Sequence, residues 1–126
     1  MNARAAPPAI LVVESNAVVR AAIGAYLRDC GLTVVEAIDG REARTIASSG
    51  MAIDVAFIDL APPGELQGFE LAHWLRRHRP DVKIVLTSGI SKTAREAHEL
   101  CGEGSALNAP FSPRELEQKI RWLLAQ

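Results

Sequence analysis

Two acidic residues, Glu14 and Asp59, each come directly after a short apolar run, and carboxylates placed in this way can support metal or phosphoryl chemistry. If the two runs form neighbouring strands, the like charges meet at one edge and repel, and such a pair usually binds a cation. Two carboxylates, a main-chain carbonyl and water suit Mg²⁺. An aspartate beside Mg²⁺ can attack phosphorus, and a hydroxyl such as that of Thr87 can then hold an oxygen of the transferred group. The alternative is that both acids merely cap the segments that follow them.

The elements that must position these acids are short apolar runs alternating with longer helical patterns. Strands are predicted over residues 9–13, 32–36, 53–58, 82–86 and 105–108. Helices are predicted between Asn16 and Gly31 and over residues 41–48, 69–77, 91–100 and 112–125. The side chains expected on the buried stripes are Val19, Ala22, Ile23, Tyr26 and Leu27 in the first helix, and Phe69, Ala72 and Leu75 in the third.

The strict alternation of strands and helices predicts an α/β fold, a parallel sheet with helices on both faces. Ligands of such folds bind beyond the carboxyl ends of the strands. The segments expected at that edge are residues 14–16, 59–61, 87–89 and 108–110.

Length and composition favour one globular domain and exclude several classes of function. The chain has 126 residues, which suits a single domain over residues 9–126 after a loose tail over residues 1–8. A net charge of -1 argues against a nucleic-acid partner or a polybasic membrane binder. No apolar run is long enough to span a bilayer, and residues 1–8 lack the apolar core of a signal peptide. The two cysteines, Cys30 and Cys101, form no CxxC pair, which favours a reduced, cytoplasmic protein.

Short motifs spread along most of the chain carry a family resemblance. They are residues 10–14, 35–40, 54–60, 63–64, 68–71, 79–80, 84–89 and 110–111. In this order and at this spacing they resemble the receiver domain of the two-component response regulators, over residues 10–124. The resemblance implies a flavodoxin-like (βα)5 three-layer sandwich whose five-stranded parallel sheet has the order 2-1-3-4-5.

The resemblance also implies a site and its partners. Asp59 stands where the family's phosphoacceptor stands, a histidine kinase or phosphotransfer protein would donate the phosphoryl group, and Mg²⁺ would assist. The implied metal ligands are Glu14, Asp59, the main-chain carbonyl of Ala61 and, weakly through a water, Ser15. Thr87 and Ser88 would contact the phosphoryl group. Nothing in the sequence marks an enzyme with turnover of its own beyond slow loss of an acyl phosphate.

Three positions depart from the family pattern. Ser15 replaces the second of two acids, Ala109 replaces a Lys that contacts the phosphoryl group, and Ala106 replaces an aromatic switch residue. One acid and one base are lost together, so the net negative charge of the pocket is kept and the attraction for a divalent cation need not be lost. A charge-assisted contact to the phosphoryl group is worth roughly 1.5–3 kcal/mol, and Ala109 cannot supply it. We therefore expect phosphorylation to be coupled only weakly to a distant surface.

Two further residues could modify this interpretation. Lys92 follows Thr87 by five residues and could reach the pocket in place of the missing Lys, although a solvated surface Lys is the simpler alternative. Trp122 lies in the last helix beside its apolar stripe. An exposed Trp122 would suit a homodimer contact or a docking site, and burial at the helix edge is the alternative.

The sequence therefore predicts a receiver domain that accepts phosphate on Asp59. An alternative from a different class is a pseudo-receiver, a module for protein interaction or dimerisation that keeps the fold and does not use phosphate. A flavodoxin-like domain that binds a small molecule is disfavoured, because no Gly-rich phosphate loop follows the first strand.

Overall fold

A computed structural model describes residues 6–59, 65–87, 106–107 and 113–126. In chain order, the elements are β1 (Ala9–Glu14), α1 (Ala17–Asp29), β2 (Thr33–Ala37), α2 (Gly40–Ser48), β3 (Val55–Asp59), α3 (Glu65–His78), β4 (Lys83–Thr87), β5 (Ala106–Leu107) and α4 (Pro113–Leu124). The strands form one parallel sheet in the order β2-β1-β3-β4-β5. This arrangement confirms the predicted flavodoxin-like topology. The helix predicted over residues 91–100 and tail residues 1–5 lie outside the described ranges.

Alternation along the strands divides the core into two apolar layers, one on each face of the sheet. On one face, Val12, Phe57 and Val85 pack with side chains of α1 and α4. On the other face, Val13, Ile58 and Ile84 pack with side chains of α2 and α3. All but the last residues of β1 and β3 are apolar and buried, as expected for central strands covered on both faces.

The strands β2, β3 and β4 are shifted towards the carboxyl side of their predicted positions, and β1 begins where predicted but extends one residue further. Glu14, Asp59 and Thr87 are the last residues of β1, β3 and β4, because the hydrogen-bonded ladders continue through them. At the other end, β3 begins at Val55 and not at residue 53. The carboxylate of Asp54 accepts a hydrogen bond from the Ala9 N–H at 2.8 Å, so Asp54 acts as a cap before the strand.

Ile23 and Leu27 in α1 and Ala72 and Leu75 in α3 are buried as predicted, and Tyr26 packs partly buried against the core, but the other predicted positions differ. In α1, Val19 is 40% exposed and Ala22 is exposed, although both were expected to face the core. The residues turned towards the sheet are Arg20, Ile23, Gly24 and Leu27 in α1, and Gly68, Leu71, Ala72 and Leu75 in α3. Phe69 is 41% exposed, whereas Gly68 before it is buried on the inner face of α3. Both observed stripes have the i, i+3, i+4, i+7 spacing of a helix face.

In the part of the chain that the structure describes, every helix is too short or too polar to cross a lipid bilayer.

Candidate functional site

Three polar residues lie side by side at the carboxyl edge of the sheet. Glu14 pairs in register with Asp59, and Asp59 pairs with Thr87, so the three residues form one row across β1, β3 and β4. Neighbouring strands lie about 4.8 Å apart, which sets the spacing of this row. The sequence-based expectation that Glu14 and Asp59 lie on neighbouring strands therefore agrees with the strand register.

The three side chains also share one face of the sheet. Side chains alternate between the two faces, so Glu14 shares a face with Val12, and Asp59 shares one with Phe57. Val12 and Phe57 both belong to the apolar layer under α1 and α4. Thr87 follows the same rule through Val85 of that layer. The two carboxylates and the hydroxyl therefore lie on the side of the sheet that α1 covers.

Glu14 is held tightly by its own turn. Its side chain is buried, with 5% exposure. Oε2 accepts a hydrogen bond from the Asn16 N–H at 3.0 Å, and the main-chain carbonyl accepts one from Arg20 Nη1 at 2.8 Å. No other hydrogen bond to the Glu14 carboxylate comes from a residue within the described ranges. Glu14 thus caps the β1–α1 turn, as expected if it only caps the segment that follows it, but it also lies beside Asp59.

The start of α1 completes this turn. Asn16 is the N-cap residue, and its side-chain oxygen accepts a hydrogen bond from the Val19 N–H at 3.0 Å. The Arg20 N–H donates to the Asn16 carbonyl at 2.8 Å. The turn that carries Glu14 is therefore fixed to the first turn of the helix at several points. Such a turn presents the acid in one orientation.

Arg20 is a site residue that the sequence-based reasoning missed. Its side chain is only 16% exposed, and its guanidinium lies against the main chain of Glu14. A signal was available, because Arg20 precedes Ile23, Gly24 and Leu27 on one helical stripe. A charged side chain on the inner stripe of a helix needs a polar partner, since an unpaired buried charge is unfavourable.

The other predicted site residues are distributed as follows. Ser15 is exposed in the turn after β1, and Thr87 is 3% exposed. Ala106 lies in β5, paired with Leu86 of β4. Ala61, Ser88, Lys92 and Ala109 lie outside the described residues, and their roles stay predictions.

The donor set suits an open magnesium site better than a closed one. Within the described ranges, no group of three or more His, Cys, Asp or Glu side chains is placed to hold a metal. Mg²⁺ is commonly held through one or two carboxylates, with waters and phosphate oxygens as the remaining ligands. The adjacent Glu14 and Asp59 provide two carboxylates and fit that arrangement. Glu14 and Asp59 are therefore compatible with Mg²⁺ that keeps waters or phosphate oxygens as its remaining ligands.

Trp122 is 52% exposed on α4. The ammonium of Lys119 lies 4.6 Å from the centre of the indole ring, a cation–π contact that leaves much of the ring accessible. Of the two alternatives for Trp122, burial at the helix edge is therefore wrong.

Comparisons with known proteins agree with this geometry. The sequence model of the response regulator receiver domain matches residues 10–121. The chain is 32% identical over 116 residues to the probable transcriptional regulator ycf27 of Guillardia theta, covering 91% of this chain and 44% of that protein. It is 30% identical over 115 residues to the transcriptional regulatory protein SrrA of Staphylococcus aureus, covering 91% and 47%. The chain thus spans about half the length of these relatives.

Solved structures show the same fold. A response regulator receiver protein from Sinorhizobium medicae superposes with a TM-score of 0.78 at 26% identity, over 94% of this chain and 95% of that one. A CheY-like receiver domain protein from Methanospirillum hungatei has a TM-score of 0.81 at 21% identity, over 95% of each chain.

Proposed function

Because the chain belongs to the response regulator receiver domain family, we propose that it accepts a phosphoryl group on Asp59 from a histidine kinase or phosphotransfer protein in the cytoplasm. The observation that carries this proposal is the row of Glu14, Asp59 and Thr87 across three neighbouring strands. In this proposal, Glu14, Asp59 and the Ala61 carbonyl hold Mg²⁺, with Ser15 contributing through a water.

The proposed reaction is a transfer between two nucleophiles. A carboxylate oxygen of Asp59 attacks the phosphorus of a phosphohistidine, the new P–O bond forms as the P–N bond breaks, and the imidazole keeps the electron pair and takes a proton. The Thr87 hydroxyl donates a hydrogen bond to an oxygen of the phosphoryl group. Ser88 is proposed as a second contact to the phosphoryl group. Bound Mg²⁺ would supply positive charge that offsets the negative oxygens. The hydrogen bond from the Asn16 N–H orients the Glu14 carboxylate, and the hydrogen bond from Arg20 holds the Glu14 main chain.

The proposed output is weak. A switch requires contacts that differ between the two states of the protein. The family's Lys and aromatic positions are Ala109 and Ala106 here, so these two positions supply neither a charged contact nor a large ring to report the phosphoryl group. Lys92 is the proposed substitute for the missing Lys. If so, Lys92→Ala lowers the occupancy of beryllofluoride, whereas unchanged binding removes Lys92 from the proposal.

The test is a phosphorylation assay with a small phosphodonor. The protein is incubated with acetyl phosphate and Mg²⁺, and its intact mass is measured. The expected result is one added phosphoryl group that disappears in Asp59→Asn and when Mg²⁺ is chelated. Asp54→Asn is the matched control, because it removes an aspartate at the opposite end of the same strand and should leave the adduct.

A second candidate is the pseudo-receiver, a module for protein interaction or dimerisation that does not use phosphate. The exposed Trp122 and the presence of only two acids in the described part of the site favour it. This candidate expects no adduct at any donor concentration. It also expects a dimer, seen by sedimentation of the unphosphorylated protein, that Trp122→Ala dissociates.

A further inference from the structure

Arg20 connects the acidic row to the edge strand of the sheet. Its Nη1 donates to the Glu14 carbonyl at 2.8 Å, and its Nε lies 3.5 Å from Glu36 Oε1 on β2. The Arg20 side chain is 16% exposed and that of Glu36 is 26% exposed, so the pair is largely shielded from water. One guanidinium thus holds a main-chain atom of the site and a carboxylate outside it.

Glu36 has a second cationic partner that fixes it in turn. Arg28 Nη1 lies 3.1 Å from Glu36 Oε2, and Arg28 Nη2 donates to the Val34 carbonyl at 3.2 Å. Two arginines of α1 therefore share one carboxylate of β2. We call Arg20, Glu36 and Arg28 the α1–β2 ion cluster.

Gly24 makes room for this cluster. A Cβ atom at Gly24 would lie 2.8 Å from Glu36 Oε2 and 3.2 Å from Arg28 Nη1. Glycine is a poor helix former in the middle of a helix, so α1 gives up some stability at this position. The close approach of the Glu36 carboxylate to the helix backbone explains why a glycine suits the inner stripe of α1.

We propose that Arg20 is a positioning residue that fixes Glu14 for metal binding at the acidic row, an inference that rests on the proposed function. Glu14 is one methylene longer than Asp and has more rotamer freedom to lose when it binds a metal. Ser15 brings no second carboxylate to the turn. Mg²⁺ binding therefore depends on how firmly the main chain of Glu14 is held. Arg20 is a charged donor, and a charged donor makes a stronger hydrogen bond to the Glu14 carbonyl than a neutral one.

Glu36 has a defined part in this arrangement. A positive charge near the acidic row would compete with a divalent cation for the negative charge of Glu14 and Asp59. The carboxylate of Glu36 offsets the positive charge of Arg20 while leaving the Nη1 contact to Glu14 in place. Arg20 can therefore position Glu14 without displacing the metal.

The experiment measures how the rate of phosphorylation by acetyl phosphate depends on Mg²⁺, with intact mass as the readout. The variants are Arg20→Ala, Arg20→Lys and the matched control Arg79→Ala. Arg79 is 20% exposed, donates to the Ala47 carbonyl at 2.9 Å and pairs with Asp81, so its chemistry resembles that of Arg20. It lies before β4, at the opposite end of the sheet from the acidic row.

We expect Arg20→Ala to raise the half-saturating Mg²⁺ concentration about tenfold, the size expected for loss of one charged hydrogen bond. The rate at saturating Mg²⁺ should change less than this, because Asp59 and Thr87 are untouched. Arg20→Lys should restore most of the affinity, since an ammonium also donates to the carbonyl. Arg79→Ala should leave the Mg²⁺ dependence unchanged while lowering the midpoint of urea unfolding. Equal Mg²⁺ dependence in Arg20→Ala and Arg79→Ala would reduce Arg20 to a structural role and overturn the inference.

Calorimetric titration with Mg²⁺ alone separates this inference from the proposed function. If the wild type accepts no phosphoryl group, the proposed function fails, yet the titration still compares the variants. Weaker Mg²⁺ binding by Arg20→Ala than by Arg79→Ala supports the positioning role. The same affinity in both variants, or no binding by the wild type, overturns it.

Discussion

Asp54 and Asp59 stand at opposite ends of β3, and their surroundings differ. The Asp54 carboxylate accepts a hydrogen bond from the Ala9 N–H, while its main chain bonds to the Ala9 carbonyl at 2.8 Å and to the Lys83 N–H at 3.0 Å. Asp54 therefore joins the starts of β1, β3 and β4. Asp59 instead has an acid, Glu14, as its register partner on one side and Thr87 on the other.

The difference shows how one residue type serves two purposes in a parallel sheet. An acid that accepts hydrogen bonds from main-chain N–H groups stabilises the folded chain. An acid placed beside another acid is electrostatically unfavourable, and such pairs are found at sites that bind ligands or perform chemistry. All strands of this sheet run the same way, so every carboxyl end meets at one edge, where ligands of such folds bind.

The largest expected effect separates these two aspartates. Asp59→Asn should abolish the phosphoryl adduct and leave the free energy of unfolding unchanged, or raise it by up to about 1 kcal/mol because a like-charge pair is removed. Asp54→Ala should keep the adduct and lower the free energy of unfolding by about 1–3 kcal/mol, because the buried Ala9 N–H loses its acceptor. Intact mass measures the adduct, and urea unfolding measures the free energy of unfolding of each variant. An adduct in Asp59→Asn, or wild-type stability in Asp54→Ala, would contradict the different roles of the two aspartates.

An intermediate effect is expected at Arg79, on the amino side of the sheet. Its Nη1 donates to the Ala47 carbonyl at 2.9 Å and to the Met51 carbonyl at 3.4 Å. Arg79 therefore connects the segment after α3 to the end of α2 and to the loop that follows α2. Arg79→Ala should lower the free energy of unfolding by about 1–2 kcal/mol. Urea unfolding measures the change, and Arg79→Lys, which cannot contact the carbonyl and Asp81 with the same fork, should recover only part of it. A loss of the phosphoryl adduct at full folding would show that the two ends of the sheet are not independent.

Much of the fold could be predicted from local patterns. The apolar runs before Glu14 and Asp59 are unmistakable as buried strands, and alternation with helical segments fixes the fold class. The strand order came from the family resemblance and agrees with the observed sheet. These features could be predicted because each depends on residues adjacent in the sequence or on a pattern that spans the chain.

What could not be predicted depends on contacts between distant residues. Val19 looks like a core position by spacing, but the docking of α1 on the sheet turns Arg20 inward instead. Arg20 is paired there with Glu36, a strand residue sixteen positions further along the chain, and Gly24 leaves room for the Glu36 carboxylate. The same limit applies to the site, where adjacency of Glu14 and Asp59 could be expected but the hydrogen bonds that hold Glu14 could not.

The smallest expected effect is a pH dependence at Asp81, whose side chain is 63% exposed. Hydrogen bonds from Arg79 Nε and Nη2, at 3.3 and 3.2 Å, hold the pKa of Asp81 below its ordinary value of 3.8. Because the pKa is lower in the folded state, this interaction stabilises the protein above the unfolded-state pKa and is lost as the pH falls through the folded-state pKa. Asp81→Asn should therefore lower the urea midpoint slightly at pH 7, and this difference should shrink between about pH 5 and about pH 3. In an Arg79→Ala background the substitution should have a smaller effect at pH 7, because only the main-chain hydrogen bond to Asp81 remains. A difference of constant size across this range would mean that Asp81 acts through something other than its charge.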